Sequence, residues 1–258
     1  MGLLLGGIAL LIIGGVLYFF SQKASDKALE MKYQETSKVA DVVQTYDDIK
    51  SSLGVGNYSG SIVELSGVGS SPTPLSAEHS QTPALYYEAS VVREYEVTEQ
   101  ERDNEGNYRT VTKRQSETVS SNSQYVVFNL DDGSGATIAV DMHKAKKDLV
   151  KSFDRFEAEA PVGFRLNIGN TGSKTIGYRY LEKIIPNNAK LYVLGELSDK
   201  SGSLMVVKPS DDKKPFIVST KSEEELIRSA ESAASGQKIA AIVAAILGLA
   251  LMIAQFVL

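Results

Sequence analysis

The chain has 258 residues, no cysteine and a net charge of −5. The lack of cysteine excludes disulfides and every cysteine-based metal or nucleophile site within these residues. All charged side chains lie from Lys23 to Lys238, and their acidic balance offers no basic face for phosphates, so nucleic acid is not an expected partner.

Residues 3–20 carry no charge, and residues 239–258 carry none either, with Gln255 the sole amide there. At about 1.5 Å per residue, each run spans the roughly 30 Å hydrocarbon layer of a bilayer. Both runs predict transmembrane helices that are retained. The first lacks the basic leader and small-residue site of a cleaved signal. The second lacks the polar spacer of a lipid-anchor signal, since Ser235-Gly236-Gln237-Lys238 leads straight into it, and Gly6 stands where myristoylation needs Ser or Thr. Small residues at Gly2 and Gly6, and at Ala241, Ala244, Ala245 and Gly248, predict that the spans pack on each other or on a second copy.

Residues 21–53 predict a juxtamembrane amphipathic helix. Val39, Val42, Val43, Tyr46, Ile49 and Leu53 recur at spacings of three and four, which puts them on one face, packed on the domain core. Residues 54–220 predict a β-rich domain. Ser61-Ile62-Val63-Glu64-Leu65 reads as a strand. Residues 85–97 and 108–119 read as a long, charged hairpin around the polar turn Asp103-Asn104-Glu105-Gly106-Asn107. A second hairpin, residues 125–130 and 136–140, turns at Asp131-Asp132-Gly133-Ser134-Gly135. Residues 142–156 predict a helix with Leu149, Phe153 and Phe156 inward and Lys144, Lys146, Lys147 and Lys151 mostly outward in solvent. Residues 176–185, 191–197, 204–207 and 216–219 are short apolar strands. Ser222 and Glu225 form a capping box that starts a juxtamembrane helix over 221–238, continuing into the span at 239–258. The expected fold is α+β: a β-rich, OB-like barrel or sandwich with flanking helices, between two transmembrane helices.

The residues support no catalytic, cofactor-binding or metal-binding site. The only imidazoles, His79 and His143, are not at ligand spacing for zinc. Asp103, Glu105 and Asn107 begin like a calcium loop, but Tyr108 and Arg114 occupy its sixth and twelfth positions. Asp131 and Asp132 beside Gly133 fit a hairpin turn without a metal. Nucleophile-elbow and phosphate-loop patterns are absent. Lys23, Lys27, Lys32, Arg228 and Lys238 flank the spans on the domain side, which predicts a cytoplasmic domain. The triplet Asn57-Tyr58-Ser59 is a glycosylation sequon that matters only in a secretory lumen.

Three blocks carry a resemblance: Phe128-Asn-Leu-Asp-Asp-Gly-Ser-Gly-Ala136, Tyr180-Leu-Glu-Lys-Ile-Ile-Pro-Asn-Asn-Ala-Lys-Leu-Tyr-Val-Leu-Gly-Glu196, and Lys214-Pro-Phe-Ile-Val-Ser-Thr-Lys-Ser222. In this order and between two anchors they resemble the GIDE or BAM (beside a membrane) domain, the membrane-side part of MULAN-type ubiquitin ligases of mitochondrial and chloroplast outer membranes. Those ligases end in a zinc-bound RING finger, for which these residues hold no cysteine, so no catalytic or zinc residue carries over. The resemblance implies a non-enzymatic, membrane-anchored interaction or sensing module, with the bilayer and other membrane proteins or itself as partners. It also implies a domain facing the intermembrane space, against the charge argument above. The alternatives are a ligase-like enzyme by family name only, and a lipid- or small-ligand-binding barrel at the membrane surface.

Overall fold

Both apolar runs continue into polar sequence without a proline, so nothing stops either helix at the length of a bilayer. The computed structural model describes residues 2–33, 35–55, 58–102, 106–159 and 173–257. The sequon residue Asn57 and the acidic turn residues Asp103 and Glu105 lie outside them. Helix α1 runs over Gly2–Tyr33 and the last helix, α3, over Glu223–Val257. The segments Gly2–Asp26 and Glu223–Gln255 are long and apolar enough to cross a membrane. Only 11% and 17% of their most apolar windows are buried, so they are not core helices of the β domain. Ile12, Phe19, Ile239 and Ile253 instead point their apolar surface outward.

The two helices pack on each other, antiparallel. A Cβ on Gly7 would lie 2.7 Å from the Gly248 carbonyl oxygen, and one on Gly14 would lie 3.1 Å from that of Ala241. This close approach needs glycine. The small residues expected on the α3 side are the ones used. On α1 the contact face is Gly7 and Gly14 rather than Gly2 and Gly6, because nothing lies within 4 Å of a Cβ on Gly2 and only Leu251, at 3.9 Å, approaches Gly6. About two turns outward, the Ser21 hydroxyl donates to the Ala234 carbonyl at 2.9 Å.

The single helix expected over 21–53 is two. The chain leaves α1 after Tyr33, and α2 occupies Val39–Leu53. Between them Thr36 bridges in parallel to Glu64, and Ser37 donates to the Glu64 carbonyl, so pairing with a strand replaces a helical turn. The amphipathic face of α2 packs as expected, with Val39, Val42 and Tyr46 buried.

The β domain has two sheets. In the first, β1 (Ser59–Ser70) pairs with β5 (Phe128–Asp131), β5 with β6 (Thr137–Val140), β6 with β11 (Met205–Val207), β11 with β10 (Ala189–Ser198), and β10 back with β1. The five strands close a ring, which removes their edges. β10 also pairs with β12 (Ile217–Ser219), and β12 with β7 (Lys146–Asp148). Leu65, Phe128, Leu130, Val140, Leu191 and Val206 fill the interior, each stabilising by about 1.5–3 kcal/mol on burial.

The second sheet is a long antiparallel ribbon. β3 (Pro83–Arg102) lies between β9 (Ser173–Pro186) and β4 (Tyr108–Tyr125), with β8 (Val150–Glu157) beyond β9 and short β2 (Leu75–Ser76) at the base of β3. β9 runs from this ribbon through the turn at Asn187 and Asn188 into β10 of the barrel, Asn188 holding φ 64°. The strand predictions in this section of the chain hold.

Residues 142–156 do not form the expected helix. They are β7 and β8. Three apolar residues at spacings of four and three cannot tell one helix turn from a bulged strand. A bulge between Lys151 and Phe153 shifts the period-two alternation and hides it. The four lysines therefore share no helix face. Lys144 sits in a turn at φ 62°, and the Lys147 ammonium lies 4.7 Å from the Tyr86 ring centre, where burial holds its pKa down.

Candidate functional site

The polar residues inside the β domain are the ones to follow, because a buried charge costs several kcal/mol unless it is paired and hydrogen-bonded. Glu64 lies in the apolar run of β1 and is fully buried. One carboxylate oxygen accepts from the Thr36 hydroxyl at 2.7 Å and the other from the Tyr192 hydroxyl on β10 at 2.9 Å. The start of α3 closes the site from the third side. There the Ser222 amide donates to Glu225 at 3.0 Å and the Glu225 amide to the Ser222 hydroxyl at 3.3 Å, completing the predicted capping box. A cleft of about 350 Å³, lined by Thr36, Glu64, Lys190, Tyr192, Ser222 and Glu223 among others, opens here.

This cleft is the joint at which the segment following α1 and the start of α3 meet the barrel. Burial pushes the Glu64 carboxyl up; the two hydroxyls oppose this, and the neighbouring Glu223 carboxylate adds to it. Burial and the Glu64 charge together push the Tyr192 phenol up. The arrangement holds three elements together and can hold a proton.

A second buried carboxylate, Glu182 on β9, is held differently. It accepts from the His79 amide at 2.6 Å, the Ser80 hydroxyl at 2.6 Å, the Ser152 hydroxyl at 2.7 Å and the Ser80 amide at 3.3 Å. Burial raises its pKa, but these donors outweigh burial and hold it below the ordinary carboxylate range. Asp199, also buried, accepts from the Tyr46 hydroxyl of α2 at 3.0 Å and the Tyr58 amide at 2.9 Å.

The acidic turn at 131–135 has a structural task. Lys38, at the N-cap of α2, makes no side-chain cap. The hairpin supplies one instead: the Val39 amide donates to Asp132 at 2.9 Å and the Ala40 amide to the Ser134 hydroxyl at 3.0 Å. These are two of the four amides that a helix start leaves unpaired. Burial of the Asp132 carboxyl is outweighed by donors from Ser134 and Val39, which hold its pKa down.

His79 joins the Glu182 site through its backbone amide alone, and the two imidazole rings have different neighbours. The His79 ring packs against Phe153 and Tyr180, and His143 lies in a turn with Nδ1 3.3 Å from the Tyr125 hydroxyl. Among the described residues no three of His, Asp and Glu converge as a metal site requires. Sequence reasoning missed Glu64, Glu182, Tyr192 and Asp199. The available signal was a carboxylate inside an apolar strand, as in Ile62-Val63-Glu64-Leu65 and Tyr180-Leu181-Glu182.

The three blocks that carried the resemblance hold Asp132 and Ser134 of the helix cap, Glu182 and Tyr192 of the buried acid sites, and Ser222 of the α3 cap. The GIDE family, described as E3 ubiquitin ligase, matches residues 96–253, more than half of the chain. The chain belongs to the GIDE family. The E3 ubiquitin-protein ligase SPL1 of Arabidopsis thaliana is 29% identical over 171 residues, covering 64% of this chain and 47% of that relative. The chain thus spans about half the length of the curated relative it matches. No solved structure matches. Within this GIDE chain the matched segment runs from the ribbon through the barrel into α3.

Proposed function

We propose that this GIDE-family chain is a membrane-anchored, non-enzymatic interaction module. Its two apolar helices cross a bilayer as a packed pair, and its β domain presents the long ribbon to partner proteins. The observation that carries this reading is the joint at Glu64. The carboxylate bonds Thr36, at the exit of α1, to Tyr192 of the barrel, beside the start of α3. A domain fixed this way to a helix pair transmits what it binds to the membrane, and the reverse. The relative named above is an E3 ubiquitin ligase, and ubiquitin transfer is the second reading. These 258 residues contain no cysteine, so a cysteine-liganded zinc finger that recruits a conjugating enzyme is not built from them.

The test uses the protein in its native membranes with a photo-crosslinking side chain at Tyr108, 71% exposed near the ribbon tip. Discrete protein adducts are expected. An absence of adducts, together with ubiquitin transfer by the purified chain, would replace this reading with the second. The domain is assigned to the cytoplasm because Lys23, Lys27, Lys32, Arg228 and Lys238 all flank the spans on its side. In the variant Tyr108→Cys, the only thiol is expected to escape an impermeant maleimide in intact cells. Labelling there would reverse the assignment.

A further inference from the structure

The barrel closes on itself, but the ribbon does not. Among the described residues β4 pairs only with β3, so its other edge carries unpaired backbone amides and carbonyls. The strand has 18 residues, most of them exposed and none fully buried. Its ladder with β3 is regular from Tyr108 to Thr118. A bulge then leaves Val119 without a partner, because Val91 pairs with Ser120 and Val92 with Thr118.

We propose that this edge is a self-association surface. β4 of one chain pairs antiparallel with β4 of a second chain, about a twofold axis through Gln115. The proposal rests on the interaction-module reading and names its partner as a second copy. An interface of this kind is isologous, with the same strand on both sides. A twofold axis through an antiparallel pair is normal to the sheet and keeps every residue on its own face. The axis must therefore lie midway between two copies of one residue, so that this residue stands opposite itself.

Charge then selects the residue. Centring on Gln115 sets Lys113 opposite Glu117 twice, Thr112 opposite Thr118 twice, and Arg114 opposite Ser116 twice. Centring on Lys113 or Arg114 sets that cation against itself, and centring on Val111 sets Arg109 against Lys113. Centring on Thr112 or Ser116 makes no ion pair. Like charges directly opposite destabilise a strand pair and unlike ones stabilise it. The seam also joins networks already present on one face of the ribbon. Glu117 binds the buried Arg93 at 2.8 Å, and Lys113 binds Glu99 at 3.2 Å. Lysines on an edge strand ordinarily discourage pairing; in this register each lysine meets a carboxylate instead. The interface is short; because its axis is normal to the ribbon, two chains share one bilayer when the ribbon lies parallel to it, and that confinement raises the effective concentration that sustains the pair.

The chain has no cysteine, so single thiols report the seam directly. Residues directly opposite in an antiparallel pair have Cα atoms about 4.5–5.5 Å apart, inside the range that a disulfide accepts. Full-length protein carrying Gln115→Cys is expected to form a disulfide-linked dimer in native membranes under mild oxidation. The rate should be at least about tenfold that of Thr110→Cys, whose two copies would stand roughly 34 Å apart at 3.4 Å per residue. Thr112→Cys and Thr118→Cys chains, made together, are expected to link with each other and not with themselves. Adding Lys113→Glu should slow linking at Gln115→Cys at least about tenfold, since it sets two carboxylates face to face. Equal rates at positions 110 and 115, or no dimer at 115, would overturn the pairing. If dimers fail while the photo-crosslinker at Tyr108 still captures other proteins, the module reading stands and self-pairing alone is wrong. Loss of both removes the module reading as well.

Discussion

Glu64 and Glu182 are the same side chain, each buried in a strand of this domain, yet their carboxyls are driven in opposite directions. At Glu182 four donors converge, two of them backbone amides of the loop at 79–80. At Glu64 two hydroxyls donate, and a second carboxylate, Glu223, stands alongside. Burial acts on both. The donors and the neighbouring charge decide the direction, so the Glu182 carboxyl is driven toward the anion and the Glu64 carboxyl toward its protonated form. The difference follows the surroundings: Glu182 ties a loop to the ribbon, whereas Glu64 sits where separate helices meet.

The largest effect is expected from Glu182→Ala. It strands several donors without an acceptor, and unfolding is expected to become easier by about 3–5 kcal/mol, read by denaturant titration in mild detergent. The same change costing under about 1 kcal/mol would mean the loop is not held by this charge. Glu182→Gln keeps the shape and loses the charge, for an expected cost of about 1.5–3 kcal/mol at neutral pH. A carboxyl depressed in the folded state stabilises above its unfolded pKa, and that contribution is lost as pH falls through the depressed value. The cost of Glu182→Gln should therefore shrink with acidification until the variant and the parent converge.

At Glu64 the sign reverses. A raised carboxyl favours the fold at low pH, and this contribution is lost as pH rises through the raised value. Glu64→Gln is accordingly expected to match the parent in acid and exceed it by about 1 kcal/mol at mildly alkaline pH, about the net worth of one hydrogen bond. A destabilised Glu64→Gln at alkaline pH would show that the anion is required at the joint. An effect of similar size is expected from Tyr192→Phe, about 0.5–1.5 kcal/mol for one lost donor. It should also move the pH midpoint of the Glu64 transition upward, whereas a purely steric defect would lower stability equally at all pH values.

Much of the architecture was legible in the chain because long periodic segments announce themselves. The charged hairpin of β3 and β4, the capping box at Ser222 and the inward face of α2 were all readable. Val39, Val42 and Tyr46 could be placed from spacing alone. What could not be read depends on partners distant in sequence. Strands β7 and β8 take their hydrogen bonds from β12 and β9, and their bulge mimics helical spacing. The break between α1 and α2 exists because Ser37 finds the Glu64 carbonyl. On α1, two sets of glycines were available, and only the opposing surface of α3 decides that Gly7 and Gly14 face it. The buried acids were hidden for the same reason: a glutamate in a strand looks like a solvent-facing one until its donors are known.

The cap that the 131–135 hairpin places on α2 has a consequence for the order of assembly. Val39 and Asp132 are 93 residues apart in the chain, so during synthesis α2 emerges long before the groups that secure its first turn. Short isolated helices are marginal in water. The 15-residue α2 is therefore a latecomer to the native structure: it settles only once β5 and β6 have formed, and any partner that pulls on that hairpin loosens a helix beside the Glu64 joint.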